Sequence, residues 1–243
     1  MSAPKRFFVD KIEYPAVTEV LLEGEEFVHA KTVLRLEEGA EIVLLDNSGK
    51  EYSAIVAKIE KRRLLAHIMG VNEQNREPNT QIYLICGALK GDKTELVVQK
   101  ATELGVVKIG VFNSEYCSAY MNENKLERLN KVAREAAKQC LRQVAPQVVY
   151  FNKFEQALSS AKDYKNKLFA CEFATGSDVD LANLNGDCAV VVGSEGGFSE
   201  REFLMAKQDY NFAGISLGKR ILRAETAAIT MCSIVAFSLG ELK

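Results

Sequence analysis

Residues 188–203 read Cys-Ala-Val-Val-Val-Gly-Ser-Glu-Gly-Gly-Phe-Ser-Glu-Arg-Glu-Phe. The apolar run up to Val192, rich in β-branched residues, predicts a strand buried on both faces. Gly193, Gly196 and Gly197 then break the run, and Ser199 with Glu202 predicts a capping box that opens a helix. A buried strand, a glycine loop and a capped helix in immediate succession form one unit of a parallel sheet covered by helices on both sides.

The same alternation extends from that unit in both directions. Upstream, QIYLICGAL from Gln81 reads as a strand, DKTELVVQKATELG as a helix stopped by Gly105, and VVKIGVF as a strand. A long helix follows from about Asn124 to Arg142, then Pro146, the strand QVVYF, a helix over 153–161 and the strand KLFACEF. Downstream, AGISL is a strand, and a last helix runs from about Glu225 to Leu239 before Gly240. Residues 80–243 therefore read as an α/β domain with a parallel sheet.

Residues 1–72 read differently. RFFVD, EFVHAKTVLRL, AEIVLLD, EYSAIVAKIE and RLLAHIMGV have strand character, and Asp46-Asn47-Ser48-Gly49 is a turn cluster in which Asn and Gly tolerate positive φ. HAKTVLRL also fits a short helix, and its periodicity does not separate the two. This is a small, mostly β domain, joined to the second by the polar stretch NEQNREPNT (72–80).

The 243-residue chain carries a net charge of −2, which excludes wholesale basic binding to nucleic acid, so any such contact needs a local patch. The six cysteines never form C-x-x-C, and the only histidines, His29 and His67, lie upstream of all of them, so no metal site is expected. The cysteines sit in apolar segments and read as reduced thiols used as small hydrophobes. The opening MSAPKRFFVDK has no apolar leader, and no run of residues is long enough to span a membrane, so a cytoplasmic protein is expected.

Two loops are candidates for chemistry. The first is residues 191–199, whose glycines at a strand's carboxyl end let a ligand approach the backbone. A tight turn is the plainer reading of that loop taken alone. The second, Ser216-Leu217-Gly218-Lys219-Arg220-Ile221-Leu222-Arg223-Ala224-Glu225-Thr226-Ala227, leads into an almost wholly apolar helix, with Glu225 where a helix start favours a carboxylate. A surface ion pair plus a cap would also explain it.

Other signatures fail. Gly87 to Thr94 resembles a phosphate-binding loop, but Asp92 stands where glycine is required. No G-x-G-x-x-G occurs, and no histidine follows His67 to activate a serine. The long helix puts Leu126, Leu129, Ala133, Ala136 and Cys140 on one face, and Arg128, Lys131, Arg134, Lys138 and Arg142 opposite. That basic stripe suits a phosphate backbone, although Glu127 and Glu135 share the arc and an ordinary solvated face fits equally.

At these residues the sequence resembles the RsmE-type ribosomal RNA uridine-N3 methyltransferases of the SPOUT superfamily. RFFVD, VLRLEEGAEIVLLDNSGKEYSAIV, LKGDKTELVVQKATELGV, AKQCLRQVAP, VVGSEGGFSEREF and LGKRILRAETAAIT carry the resemblance in the family's order. The chain has Ser194 where the family usually has proline, Lys138 where it usually has glutamate, and Asn47 in place of a frequent glycine.

The resemblance implies a PUA-like β-barrel domain ahead of a catalytic domain tied in a trefoil knot, a cytoplasmic homodimer, and S-adenosylmethionine as methyl donor. The implied donor-binding residues are Gly193, Ser194, Glu195, Gly196, Leu217, Gly218, Ile221, Leu222, Thr226 and Ala227. Arg223, Glu225 and Glu195 are the catalytic candidates. Arg6, Arg35, Lys93, Arg134 and Arg142 are the candidates for holding ribosomal RNA of the small subunit. A methyltransferase acting at another RNA site and a non-catalytic RNA-binding protein stay open beside this reading.

Overall fold

The computed structural model describes residues 4–172, 174 and 179–242. The chain forms two compact units, one of Met1–Glu77 with Ala137–Val144 and one of Pro78–Ala136 with Ala145–Lys243.

The first unit is built on strands β1 (Lys5–Phe8), β2 (Glu19–Leu22), β3 (Glu41–Leu45), β4 (Glu51–Ile59) and β5 (Leu64–Asn72). They form one sheet in the order β1-β3-β4-β5-β2, antiparallel except where β1 runs parallel to β3. Phe7, Leu22, Phe27, Ile42, Leu44, Tyr52 and Leu64 fill its core. Within EFVHAKTVLRL, where strand and short helix were both open for HAKTVLRL, the chain is helical to Val33, with α1 (Gly24–Val28) running into a π-helical turn, His29–Val33. Burial explains the difference. A strand would turn Phe27, His29 and Lys31 to one face, whereas the helical turn buries Phe27 with Ala30 and leaves Lys31 outside.

The expected turn lies between β3 and β4, with Asn47 at φ 59° and Gly49 at φ 83°. Asn47 therefore does the work of the glycine that is frequent there. Asp46 organises this turn. Its carboxylate accepts from the Ile12 amide at 3.1 Å, the Ser48 amide at 3.0 Å, the Ser48 hydroxyl and the Tyr52 hydroxyl at 3.2 Å. Burial raises its pKa, but these donors outweigh burial and hold it below the ordinary carboxylate value. A depressed folded-state pKa stabilises the fold above the unfolded value and loses that stabilisation as pH falls through the folded one. Asp46→Ala is expected to cost about 2 kcal/mol, because it orphans buried donors that bond to a charge. Thermal melts should show that deficit at pH 7 and a smaller one in acid; a constant deficit across pH would count against this role.

Residues 137–144 close the first unit. Lys138 pairs with Glu26 at 2.8 Å, and Arg142 pairs with Glu77 at 2.7 Å. Glu77 also accepts from the Gln143 and Val144 amides, and Gln143 bonds back to Gln74 and Arg76. Arg6 pairs with Glu51 and donates to the Arg142 carbonyl. The polar stretch read as a linker is thus tied down at Gln74 to Glu77. Lys138 and Arg142 are buried, Arg6 is half-buried, and all three are paired within the unit, so the expected basic stripe stops short of Lys138. Glu26 supplies the charge complement that lets lysine stand where glutamate is usual.

The second unit is the α/β body. Its elements are β6 (Ile82–Gly87), α2 (Lys93–Glu103), β7 (Lys108–Phe112), the start of α3 (Glu123–Gln139), β8 (Gln147–Phe151), α4 (Phe154–Ser159) and β9 (Asn166–Ala170). After a short 3-10 turn come β10 (Cys188–Val192), α5 (Glu200–Gln208), β11 (Ala213–Ile215) and α6 (Ala224–Ser238). The six strands form one parallel sheet in the order β11-β9-β10-β6-β7-β8.

Alternate residues of the same strand serve opposite faces. Leu84, Val190 and Val192 pack with α2 and α6, while Tyr83, Ile85 and Val191 pack with Phe154, Phe169 and Phe198. This double coverage is why β6 and β10 carry no charged residue. Cys86, Cys188 and Cys232 are buried among these layers, and burial pushes the Cys188 and Cys232 thiols up to about 12. Cys117, Cys140 and Cys171 are only half-buried.

Candidate active site

All six strands point their carboxyl ends the same way, and β10 lies beside β6, although β7, β8 and β9 separate them in the chain. That is a topological switch point, where open α/β sheets gather ligand-binding loops. The loops after β9, β10 and β11, with Lys93 from α2, line a cavity of about 730 Å³. Sites for molecules of nucleoside size fall in this range.

The loop after β10 is fixed at both ends. Gly197 donates to the Ser194 carbonyl at 3.0 Å, closing a tight turn. Phe198 then sinks into an aromatic cluster, 4.3 Å from Phe169 between ring centroids. Ser199 and Glu202 form the expected capping box, and the second Glu202 oxygen accepts from the Glu115 amide at 2.8 Å. Ser194, in the usual proline position, exchanges a hydrogen bond with Ser114 at 3.1 Å.

The loop's glycines serve protein packing. A Cβ on Gly196 would lie 2.6 Å from the Tyr116 carbonyl oxygen, and one on Gly193 would lie 2.9 Å from the Phe198 ring. Their hydrogens are needed where loops cross closely, a reason the sequence reading did not give. Gly218 differs: it has φ 99° and open space around it.

The loop after β11 ends on α6. Arg223 is the N-cap residue, exposed, and its side chain makes no cap hydrogen bond. Among the described residues its guanidinium meets no carboxylate. Ile221 is 92% exposed on the cavity wall, and Leu217 and Leu222 are half-buried beside it.

Lys93 joins the two glutamates that the sequence reading singled out. Its ammonium lies 3.4 Å from Glu195 and 3.7 Å from Glu225. Burial pushes the Glu195 carboxyl up, but the Lys90 amide, its own amide and Lys93 together hold it below the ordinary value. Glu225 Oε2 is buried and accepts no hydrogen bond among the described residues.

Of the expected donor-binding residues, Gly193, Ser194, Glu195, Gly196, Leu217, Gly218, Ile221, Leu222 and Ala227 line the cavity, and Arg223 lines it too. Thr226 is exposed on α6 and does not. Lys93, expected to hold RNA, sits in the cavity wall. Arg35 and Arg134 are exposed. Cys171 and Glu172 also line the cavity, and the sequence reading missed them. Their position at the end of the strand KLFAC, where parallel sheets bind ligands, was the available signal. Among the described residues no cluster of His, Cys, Asp or Glu could hold a metal ion, and no helix is long and apolar enough to cross a membrane.

Comparison with known proteins agrees with this architecture. Residues 75–236 match the RNA methyltransferase domain family, and residues 22–69 match the RNA methyltransferase PUA domain family. The chain is similar to the ribosomal RNA small subunit methyltransferase E of Rickettsia conorii, 32% identical over 88% of this chain and 87% of that one. It is similar to the Bacillus subtilis protein of the same name, 29% identical over 98% of both. Among solved structures, that of the ribosomal RNA small subunit methyltransferase E from Neisseria gonorrhoeae, bound to S-adenosyl methionine, superposes with a TM-score of 0.86. The two are 28% identical over 98% of each chain. With a small PUA-type unit ahead of a parallel-sheet body that gathers its loops at the switch point, the chain belongs to the ribosomal RNA small subunit methyltransferase E family.

Proposed function

We propose that this protein transfers a methyl group from S-adenosylmethionine to N3 of a uridine in small-subunit ribosomal RNA. One observation carries the reading: Arg223, which meets no carboxylate among the described residues, stands with Lys93 and Glu195 at a nucleoside-sized cavity on the carboxyl edge of the sheet, and Lys93 also pairs with Glu225.

The cavity suits the donor. Leu217, Ile221 and Leu222 are apolar side chains left partly or wholly uncovered, as expected where a flat heterocycle lies against them. Main-chain groups of residues 193–196 and 216–218 would hold the polar parts. When bound, the sulfonium supplies an activated methyl group.

N3 of uridine carries a proton, so transfer makes an N–C bond, breaks the C–S bond and releases that proton. Arg223 stabilises the negative charge that develops on the carbonyls flanking N3. With the ring made more acidic in this way, a weakly basic carboxylate suffices as acceptor. Glu195 fills that role, since its neighbours keep it deprotonated. Lys93 fixes the spacing of the two glutamates. Because N3 lies on the pairing edge, the target base must be unpaired or flipped out. A trefoil knot and a homodimer belong to the same reading, and a cytoplasmic location follows from the substrate.

Mass spectrometry of small-subunit ribosomal RNA nucleosides tests this. Removing the protein from its cell should abolish 3-methyluridine, and restoring it should bring the nucleoside back. Loss of a different methylated nucleoside would move the substrate to another RNA site.

A further inference from the structure

The segment 113–122, between β7 and α3, is held at many points. Asn113 donates to the Tyr150 hydroxyl at 2.9 Å, and Ser114 bonds to Ser194 at 3.1 Å. The Glu115 amide is bound by Glu202, and the Cys117 amide donates to the Ser114 carbonyl at 3.0 Å. Gly196 of the cavity loop packs directly against the Tyr116 main chain and Cβ. Such anchoring normally accompanies buried side chains. Here two large rings remain outside: Tyr116 is 54% exposed and Tyr120 72%. Lys125 donates to the Tyr120 carbonyl at 2.6 Å and stands 5.9 Å from its ring centroid. Lys90 is exposed at the neighbouring loop, its amide bound to Glu195.

We propose that Tyr116 and Tyr120 form a stacking platform for unpaired bases of the RNA beside the methyl-transfer cavity. This rests on the reading that the substrate is RNA, and names the part of this chain that receives it. A base whose N3 is accessible has left its pair, and it and its neighbours lose stacking partners. Exposed aromatic rings on an anchored main chain, with the Lys125 ammonium beside the Tyr120 ring, replace those partners and offer a cation to the phosphates. The anchored main chain matters, because the segment that carries the rings then loses little freedom on binding. Tyr116 touches Gly196 of the cavity wall through its main chain and Cβ, which sets this segment beside the cavity.

The test compares the full chain with the double variants Tyr116→Ala/Tyr120→Ala and Tyr116→Phe/Tyr120→Phe. Alanine keeps the Tyr116 carbonyl and Cβ that touch Gly196, so calorimetry should give an unchanged Kd for S-adenosylmethionine. Retention of small ribosomal subunits on filters should weaken roughly tenfold or more in the alanine variant and by no more than about twofold in the phenylalanine one. Equal retention by alanine variant and parent overturns the platform and leaves the tyrosines to contact something other than RNA. Methyl transfer to the same subunits is read separately. If the parent transfers nothing while the alanine variant still loses retention, the methyl-transfer reading fails and the platform stands.

Discussion

Arg223→Ala is expected to bind S-adenosylmethionine with an unchanged Kd while its single-turnover transfer rate falls roughly a hundredfold to a thousandfold, the usual effect of removing one preorganised charge from a developing anion. The structure separates these effects because Arg223 does nothing for the fold. It occupies the N-cap of α6 without capping it. A cation there faces the positive end of the helix dipole, which is unfavourable by a few tenths of a kcal/mol. A residue in that position for stability would be serine or aspartate. The melting temperature of Arg223→Ala should therefore equal or slightly exceed that of the parent. Arg223→Lys should recover only part of the rate, since an ammonium cannot present a planar fork to a pyrimidine carbonyl. Full activity in Arg223→Ala would remove the residue from the mechanism.

The second large effect comes from a residue that touches no ligand. Gly87 ends β6 beneath the cavity loop, and a Cβ added there would lie 2.5 Å from the Ser194 nitrogen and 2.9 Å from the Gly193 carbonyl carbon. Every close neighbour is main chain, so no side chain can swing aside. Gly87→Ala must push residues 193–194 away from β6, at a cost of about 1–3 kcal/mol for overpacking. Those residues form one wall of the cavity. Affinity for S-adenosylmethionine should fall at least tenfold, which calorimetry reads directly, while circular dichroism and melting confirm that the chain remains folded. Parent-like affinity in a folded Gly87→Ala protein would mean that the loop position does not control binding.

Much of this architecture is legible in the sequence because buried parallel strands leave so little freedom. CAVVV and IYLICG must be covered on both faces, and both are. The capping box at Ser199 and the stop at Gly105, φ 85°, follow from local geometry alone. The two candidate loops meet at one cavity, as their places after strands suggested.

Long-range charge pairing was not legible. Lys138 falls on a helix arc that ordinarily faces water and Arg142 just past the end of that helix, yet their partners Glu26 and Glu77 stand 112 and 65 residues away in the chain. Nothing local announces such a pair. Likewise the period of FVHAKTV could not choose between strand and helix, because the choice depends on which side chains the sheet below can accept. The strand β2 escaped notice for a related reason: EVLL is too short to show alternation.

The membership of residues 137–144 in the first unit bears on how the protein is made. Synthesis delivers residues 1–77 first, but those residues alone hold Glu26 and Glu77 without the cations that neutralise them. Glu26 and Glu77 are partly covered carboxylates, so an amino-terminal fragment ending at residue 77 is expected to be less stable than the same unit completed by residues 137–144.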